Sequence, residues 1–158
     1  MSQFLVAIDG PAGSGKSSVS KQVARELGFG YLDTGAAYRA LAWAVQNLEG
    51  FELETLATKD LVSEFDYQIS LNPDDYWVKV GEVDLTAAIR TSQVAESVSA
   101  VARIPEVRSY MKALTRDLVA KSSLPGVVVE GRDITTVVAP DAEIKILLTA
   151  SEEVRLKR

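Results

Sequence analysis

The segment Gly10-Pro11-Ala12-Gly13-Ser14-Gly15-Lys16-Ser17 satisfies the pattern G-x-x-x-x-G-K-[ST] at every position. It restricts the chain to folds that can set a glycine loop between a strand and a helix. Each position has a job in holding a nucleoside triphosphate. The glycines let backbone N–H groups curl around phosphates with no Cβ in the way. Lys16 reaches the β- and γ-phosphates, and the Ser17 hydroxyl can serve Mg²⁺. The ATP-contacting set predicted from this motif runs through Gly10, Pro11, Ala12, Gly13, Ser14, Gly15, Lys16, Ser17 and Ser18.

The surrounding residues supply the context that the motif needs. Phe4-Leu5-Val6-Ala7-Ile8 is a short apolar run that reads as a buried parallel strand. After the loop, Val19, Val23 and Leu27 repeat at helical spacing, and Gly28 stands where a helix C-cap belongs. A helix N-terminus directly behind the loop adds its own attraction for anions.

Composition narrows the chemistry. The 158 residues contain neither histidine nor cysteine, which excludes a histidine general base, Ser-His-Asp catalysis, Cys/His zinc sites, disulfides and a thiolate nucleophile. The remaining carboxylates, lysines, arginines and hydroxyls suit Mg²⁺-assisted phosphoryl transfer. A net charge of −5 argues against a nucleic-acid surface, so a small anionic substrate would need a local group of arginines. No apolar run approaches membrane-spanning length and no basic-then-apolar leader opens the chain. A cytoplasmic protein without membrane or nucleic-acid partners is therefore expected, and we expect a monomer.

Along the chain, Tyr31-Leu32-Asp33 ends a second predicted strand. Thr34-Gly35 opens a helix with an apolar face through Tyr38, Leu41, Ala42, Val45 and Leu48. Residues 50–93 differ in texture: a helix over 54–64, then two period-two runs, 67–71 and 76–80, joined by Asn72-Pro73-Asp74-Asp75. This reads as a β-hairpin with Val83-Asp84-Leu85 as a third antiparallel strand. Helical spacing returns at Val94, Val98 and Val101, and Pro105 suits the first position of the next helix. Val127–Glu130 and Ile144–Leu148 read as two further core strands. Ser151 with Glu152 and Glu153 opens a final helix. The chain is thus α/β, with expected boundaries at 1–49 plus 94–158 for the core and 50–93 for an inserted subdomain.

Two clusters follow predicted strands, at the sheet edge where ligands bind. In Asp33-Thr34-Gly35-Ala36-Ala37-Tyr38-Arg39, Arg39 can hold a phosphate and Tyr38 can pack on a ribose or base. In Glu130-Gly131-Arg132-Asp133, Glu130 stands where an acidic residue would serve Mg²⁺ directly or through water, and Arg132 can clamp a phosphate bidentately. Bland readings remain open for both, a surface arginine beside a core tyrosine and an exposed turn with an internal Arg–Asp pair. Ser99 and Arg108, on successive predicted helices, read by themselves as surface residues.

At these residues the sequence resembles the bacterial cytidylate kinases. The resemblance runs through Ile8–Ser17, Leu32–Arg39, Ile89-Arg90, Val94-Ala95, Ser99, Pro105–Arg108, Glu130–Ile134, Thr136–Val138 and Pro140–Ala142. It implies a P-loop NTPase-type three-layer fold with a parallel central sheet and an inserted monophosphate-binding subdomain that closes over substrate. It also implies transfer of the ATP γ-phosphate to CMP or dCMP. Lys16 and the loop would hold ATP, while Thr34, Gly35, Tyr38, Arg39, Ser99, Arg108, Arg132 and Asp133 would take the acceptor. Within that set Arg39 and Arg132 would grip its phosphate and Ser99 and Arg108 would read the cytosine. Lys16, Arg132 and Asp133 would be the catalytic group, with Ser17 and Glu130 serving Mg²⁺.

Three departures stand out. Thr135 occupies a position that is commonly glycine in the family, so a different loop conformation is expected there. Glu130 replaces a common aspartate. Family members also continue beyond Arg158, through a lid to which Arg155 and Arg158 match only the beginning. The lid and the rest of the core are therefore expected to be missing, and these residues alone to give little turnover. The competing readings are a P-loop kinase for another small acceptor and a nucleotide-binding module without turnover. A switch-type GTPase is disfavoured because no N-K-x-D-like segment is present.

Overall fold

The computed structural model describes residues 3–156. Its elements run β1 (Phe4–Asp9), α1 (Lys16–Leu27), β2 (Gly30–Asp33), α2 (Thr34–Asn47), α3 (Leu61–Glu64), β3 (Tyr67–Ile69) and β4 (Val78–Val80). There follow β5 (Val83–Asp84), α4 (Ser92–Ala102), α5 (Pro105–Ala120), β6 (Gly126–Gly131), β7 (Ile144–Leu147) and α6 (Glu152–Leu156). Two compact units emerge. The first comprises Met1–Thr34, Leu71–Asp74 and Thr115–Arg158, the second Gly35–Ser70 and Asp75–Leu114. The sequence-based boundaries at 49/50 and 93/94 bracket the antiparallel segment. The second unit is wider because α2, α4 and most of α5 cluster with that segment.

The first unit is built on a four-stranded parallel sheet in the order β2-β6-β1-β7. Every residue of β6 is buried, and Val127, Val128 and Val129 are wholly so. That is why the central strands read as continuous apolar runs rather than alternating ones. Helix α1 packs on β6 and β2. Its buried residues are Ser20 and Ala24, whereas Val23 is half-buried and Val19 and Leu27 are 42% and 50% exposed. The apolar row that signalled the helix is therefore not its packed face, because small side chains let the helix approach the sheet closely. Gly28 is a left-handed C-cap, as expected.

Residues 144–147 correct the expectation of a core strand. All four residues of β7 are exposed, with Leu147 71% accessible. Among the described residues β7 pairs only with β1, so its side chains lack the cover that β1 and β6 share.

In the second unit β3, β4 and β5 form the expected antiparallel sheet, with Tyr67 opposite Val80 and Ile69 opposite Val78. The helix expected over 54–64 is instead a 3₁₀ segment, Leu53–Thr58, followed by the short α3. The break comes at Asp60, whose carboxylate accepts from the Ser63 amide at 3.3 Å and hydroxyl at 2.8 Å and so starts a new helix. Phe65 stacks on Tyr67 and meets Phe51 and Tyr110 edge-on. The buried residues of α2 are Ala36, Ala37, Ala40, Leu41, Ala42 and Ala44, whereas Tyr38 and Val45 are half-buried and Leu48 falls beyond the helix end. Pro105 opens α5 as expected. No helix among the described residues is long and apolar enough to cross a membrane.

The end of β1 is tied to the turn after β6 through one carboxylate. Asp9, 4% exposed, accepts from the amides of Ile134 and Thr135 at 2.8 and 2.9 Å and from the Thr135 hydroxyl at 2.6 Å. Residues Ile134–Val138 adopt a π-helical turn, a geometry frequent at functional sites. Thr135 thus strengthens this turn, with its hydroxyl on a buried acceptor. Asp9→Ala would strand two amides, and we expect a loss of about 2–4 kcal/mol of stability. Thr135→Val, which removes one bond of the three, should cost about 1 kcal/mol. Urea denaturation midpoints of the two variants check both the size and the order.

Candidate nucleotide site

Parallel register brings the carboxyl ends of β1, β2 and β6 side by side. Asp9 stands opposite Gly131, and Asp33 stands opposite Glu130. All four residues are buried. The loop leaving β1 crosses this edge: Gly10 N–H donates to Gly131 O, and Ser14 N–H to Pro11 O. Gly15 then takes φ 84°, a left-handed conformation that a side chain would strain, and hands the chain into α1. Pro11, Gly13, Gly15, Lys16, Ser17 and Ser18 line a cleft of about 250 Å³ at the start of that helix. A second cleft, of about 360 Å³, lies between Ala24, Phe29, Leu71 and Leu124. Its charged pair, Arg25 and Asp74 at 2.6 Å, is closed on itself, and it has no helix N-terminus.

Glu130 is the electrostatic centre of the edge. It is 2% exposed, and its Oε1 accepts from the Ser17 hydroxyl at 2.7 Å and from the Tyr31 phenol at 3.0 Å. Its Oε2 is buried with no hydrogen-bond partner. Burial, and then the negative charge of Asp33, push its pKa above the ordinary carboxylate value; Ser17, Tyr31 and Lys16 pull the other way. Burial also drives the Tyr31 phenol far above its usual range, so it stays a proton donor.

These observations suit a hydrated divalent cation. A buried carboxylate oxygen lacks a partner, and an adjacent hydroxyl donates to the same carboxylate, leaving its lone pairs for a ligand. Among the described residues no cluster of three or more Asp, Glu, His or Cys could hold a metal by itself. Such a sparse donor set fits a cation that keeps its waters and shares phosphate oxygens.

The first unit therefore unites the predicted loop residues Gly10–Ser18 with Glu130, and Thr34 joins them by donating its hydroxyl to Glu130 O at 2.9 Å. Exposed Arg132 and half-buried Asp133 follow β6 directly in the same unit. Gly35, Tyr38 and Arg39 open α2, all half-buried, while Ser99 on α4 and Arg108 on α5 are exposed; these five belong to the second unit. Arg158 lies outside the described residues. No sequence pattern assigns Tyr31 a role, and Asp9 stands in the sequence only as part of the Ile8–Ser17 block. Only the strand register reveals Tyr31: it pairs with Val128, so Glu130 is its diagonal neighbour on the same face.

Comparison with known proteins shows the family of the chain. A family model described as cytidylate kinase matches residues 6–158. A cytidylate kinase of Streptomyces griseus is 46% identical over 99% of this chain and 68% of its own length. One of Carboxydothermus hydrogenoformans is 46% identical over 97% and 68%. A bifunctional pantoate ligase/cytidylate kinase of Synechococcus elongatus is 43% identical over 98% of this chain and 30% of its own length. The chain thus spans about two thirds of the length of the single-function relatives. With a family match over nearly its whole length, the chain belongs to the cytidylate kinase family.

Proposed function

We propose that this chain holds ATP, Mg²⁺ and CMP or dCMP for transfer of the ATP γ-phosphate, giving CDP or dCDP, as a cytoplasmic monomer, with little turnover from these residues alone. The observation that carries the reading is the loop cleft abutting Ser17 and the buried, half-satisfied Glu130. Family membership supports the acceptor.

Phosphoryl transfer asks little covalent chemistry of a protein, so positioning and charge neutralisation must do most of the work. The loop N–H groups and the start of α1 hold the β- and γ-phosphates, and Lys16 adds its cation. Ser17 and Glu130 would hold Mg²⁺, which supplies charge neutralisation across the phosphate oxygens. Arg39 and Arg132 grip the acceptor phosphate, with Thr34, Gly35 and Tyr38 beside it. Ser99 and Arg108 read the cytosine, and Asp133 stands beside the acceptor. No histidine is needed for any of these tasks.

Titrating CMP, dCMP, UMP and AMP into the chain with ATP present tests the reading: tighter binding of CMP and dCMP, with little ADP formed, is expected, and preference for AMP would overturn it. In calorimetric titrations, Lys16→Ala should weaken ATP about ten- to hundredfold, as expected for loss of a charge-assisted bond. Arg108→Ala should weaken CMP about tenfold and leave ATP within about twofold.

Glu130 also predicts a pH dependence for the nucleotide-free chain. Its folded pKa lies above its ordinary value of 4.5, so the unfolded chain releases this proton first. The contribution is full below 4.5 and is lost as pH rises to the folded value, making stability fall across that window. Urea midpoints followed upward from pH 4.5 should show this slope in the unsubstituted chain and a flatter one in Glu130→Gln.

A further inference from the structure

Tyr31 is a full-sized phenol at 1% exposure in the middle of β2, placed so that its one polar atom meets Glu130. We propose that Tyr31 is a positioning residue for the cation site: its hydroxyl, with that of Ser17, pins Glu130 Oε1 and leaves Oε2 as the oxygen offered to the metal–nucleotide complex. This rests on the reading of Ser17 and Glu130 given above and extends it to a residue behind them.

Three observations carry it. Both donors converge on the same oxygen, at 2.7 and 3.0 Å, while the other buried oxygen has no partner. Two donors on one oxygen fix the carboxylate plane, which a flexible glutamate side chain would otherwise sample freely. Ser17 spends its proton on Glu130, so its lone pairs stay available. Finally, Tyr31 is itself held. Its strand is paired to β6 along its length, its N–H donates to Leu71 O at 2.8 Å, and Lys21 Nζ sits 5.6 Å from its ring centroid. A phenol locked into the sheet is a rigid post for a carboxylate. The glutamate matters to the geometry, because an aspartate one methylene shorter would draw away from the post.

The readout is the factor by which Mg²⁺ tightens ATP binding, taken by calorimetric titration of the full chain with Mg²⁺ and with EDTA. Tyr31→Phe keeps the ring and removes only the hydroxyl. It should cut the Mg²⁺ enhancement about tenfold, the usual cost of losing a group that orients a ligand, while ATP affinity in EDTA stays within about twofold. Glu130→Gln should abolish the enhancement, and adding Tyr31→Phe to it should change nothing further. Glu130→Asp should resemble Tyr31→Phe. The proposal is overturned by an unchanged enhancement in Tyr31→Phe, by an equal loss of affinity in EDTA, or by an effect that persists beside Glu130→Gln. If Glu130→Gln alone keeps the enhancement, or the unsubstituted chain shows none, the reading of Glu130 as a metal residue falls, and this proposal with it.

Discussion

The site depends on the pairing of β1 with β6 in parallel register. That pairing sets Asp9 against Gly131 and, through β2 on the other side, Asp33 against Glu130. Two loops leave the sheet at this edge, one rich in glycine and one carrying Arg132 and Asp133. Their mutual position is held by Asp9, which accepts from the second loop while its own peptide begins the first. A carboxylate is suited to this work because it can accept several short bonds at once without needing to donate.

The same edge stores electrostatic cost. Glu130 is buried near Asp33, and only part of its charge is compensated by Ser17, Tyr31 and Lys16. A buried acceptor oxygen without a partner is a costly feature that calls for an explanation. Read as a nucleotide site, the cost has a use: a cation brought with the phosphates supplies the missing partner, and the protein need not reorganise to receive it.

Much of this was legible in the sequence where local chemistry decides the outcome. The glycine loop, the Gly28 cap and Pro105 at the start of α5 each follow from preferences of a few adjacent residues, and the structure has them in place; the antiparallel pair forms too, but over 67–69 and 78–80 rather than the expected 67–71 and 76–80. Failures came where packing decides. Val19, Val23 and Leu27 marked a helix correctly yet did not mark its buried face, because Ser20 and Ala24 allow closer approach to the sheet. Ile144–Leu147 has the composition of a core strand but lies at the sheet margin, exposed. Asp60 split a predicted helix by capping a new one, a competition that periodicity does not register.

The glycine loop, the α/β character and the family follow from residue types at fixed short spacings. Only tertiary structure decided which groups share an environment. Tyr31, Ser17 and Glu130 are separated by up to 113 residues, and nothing local links them. Strand register places the phenol diagonally across from the carboxylate, and burial turns that proximity into an interaction strong enough to orient it.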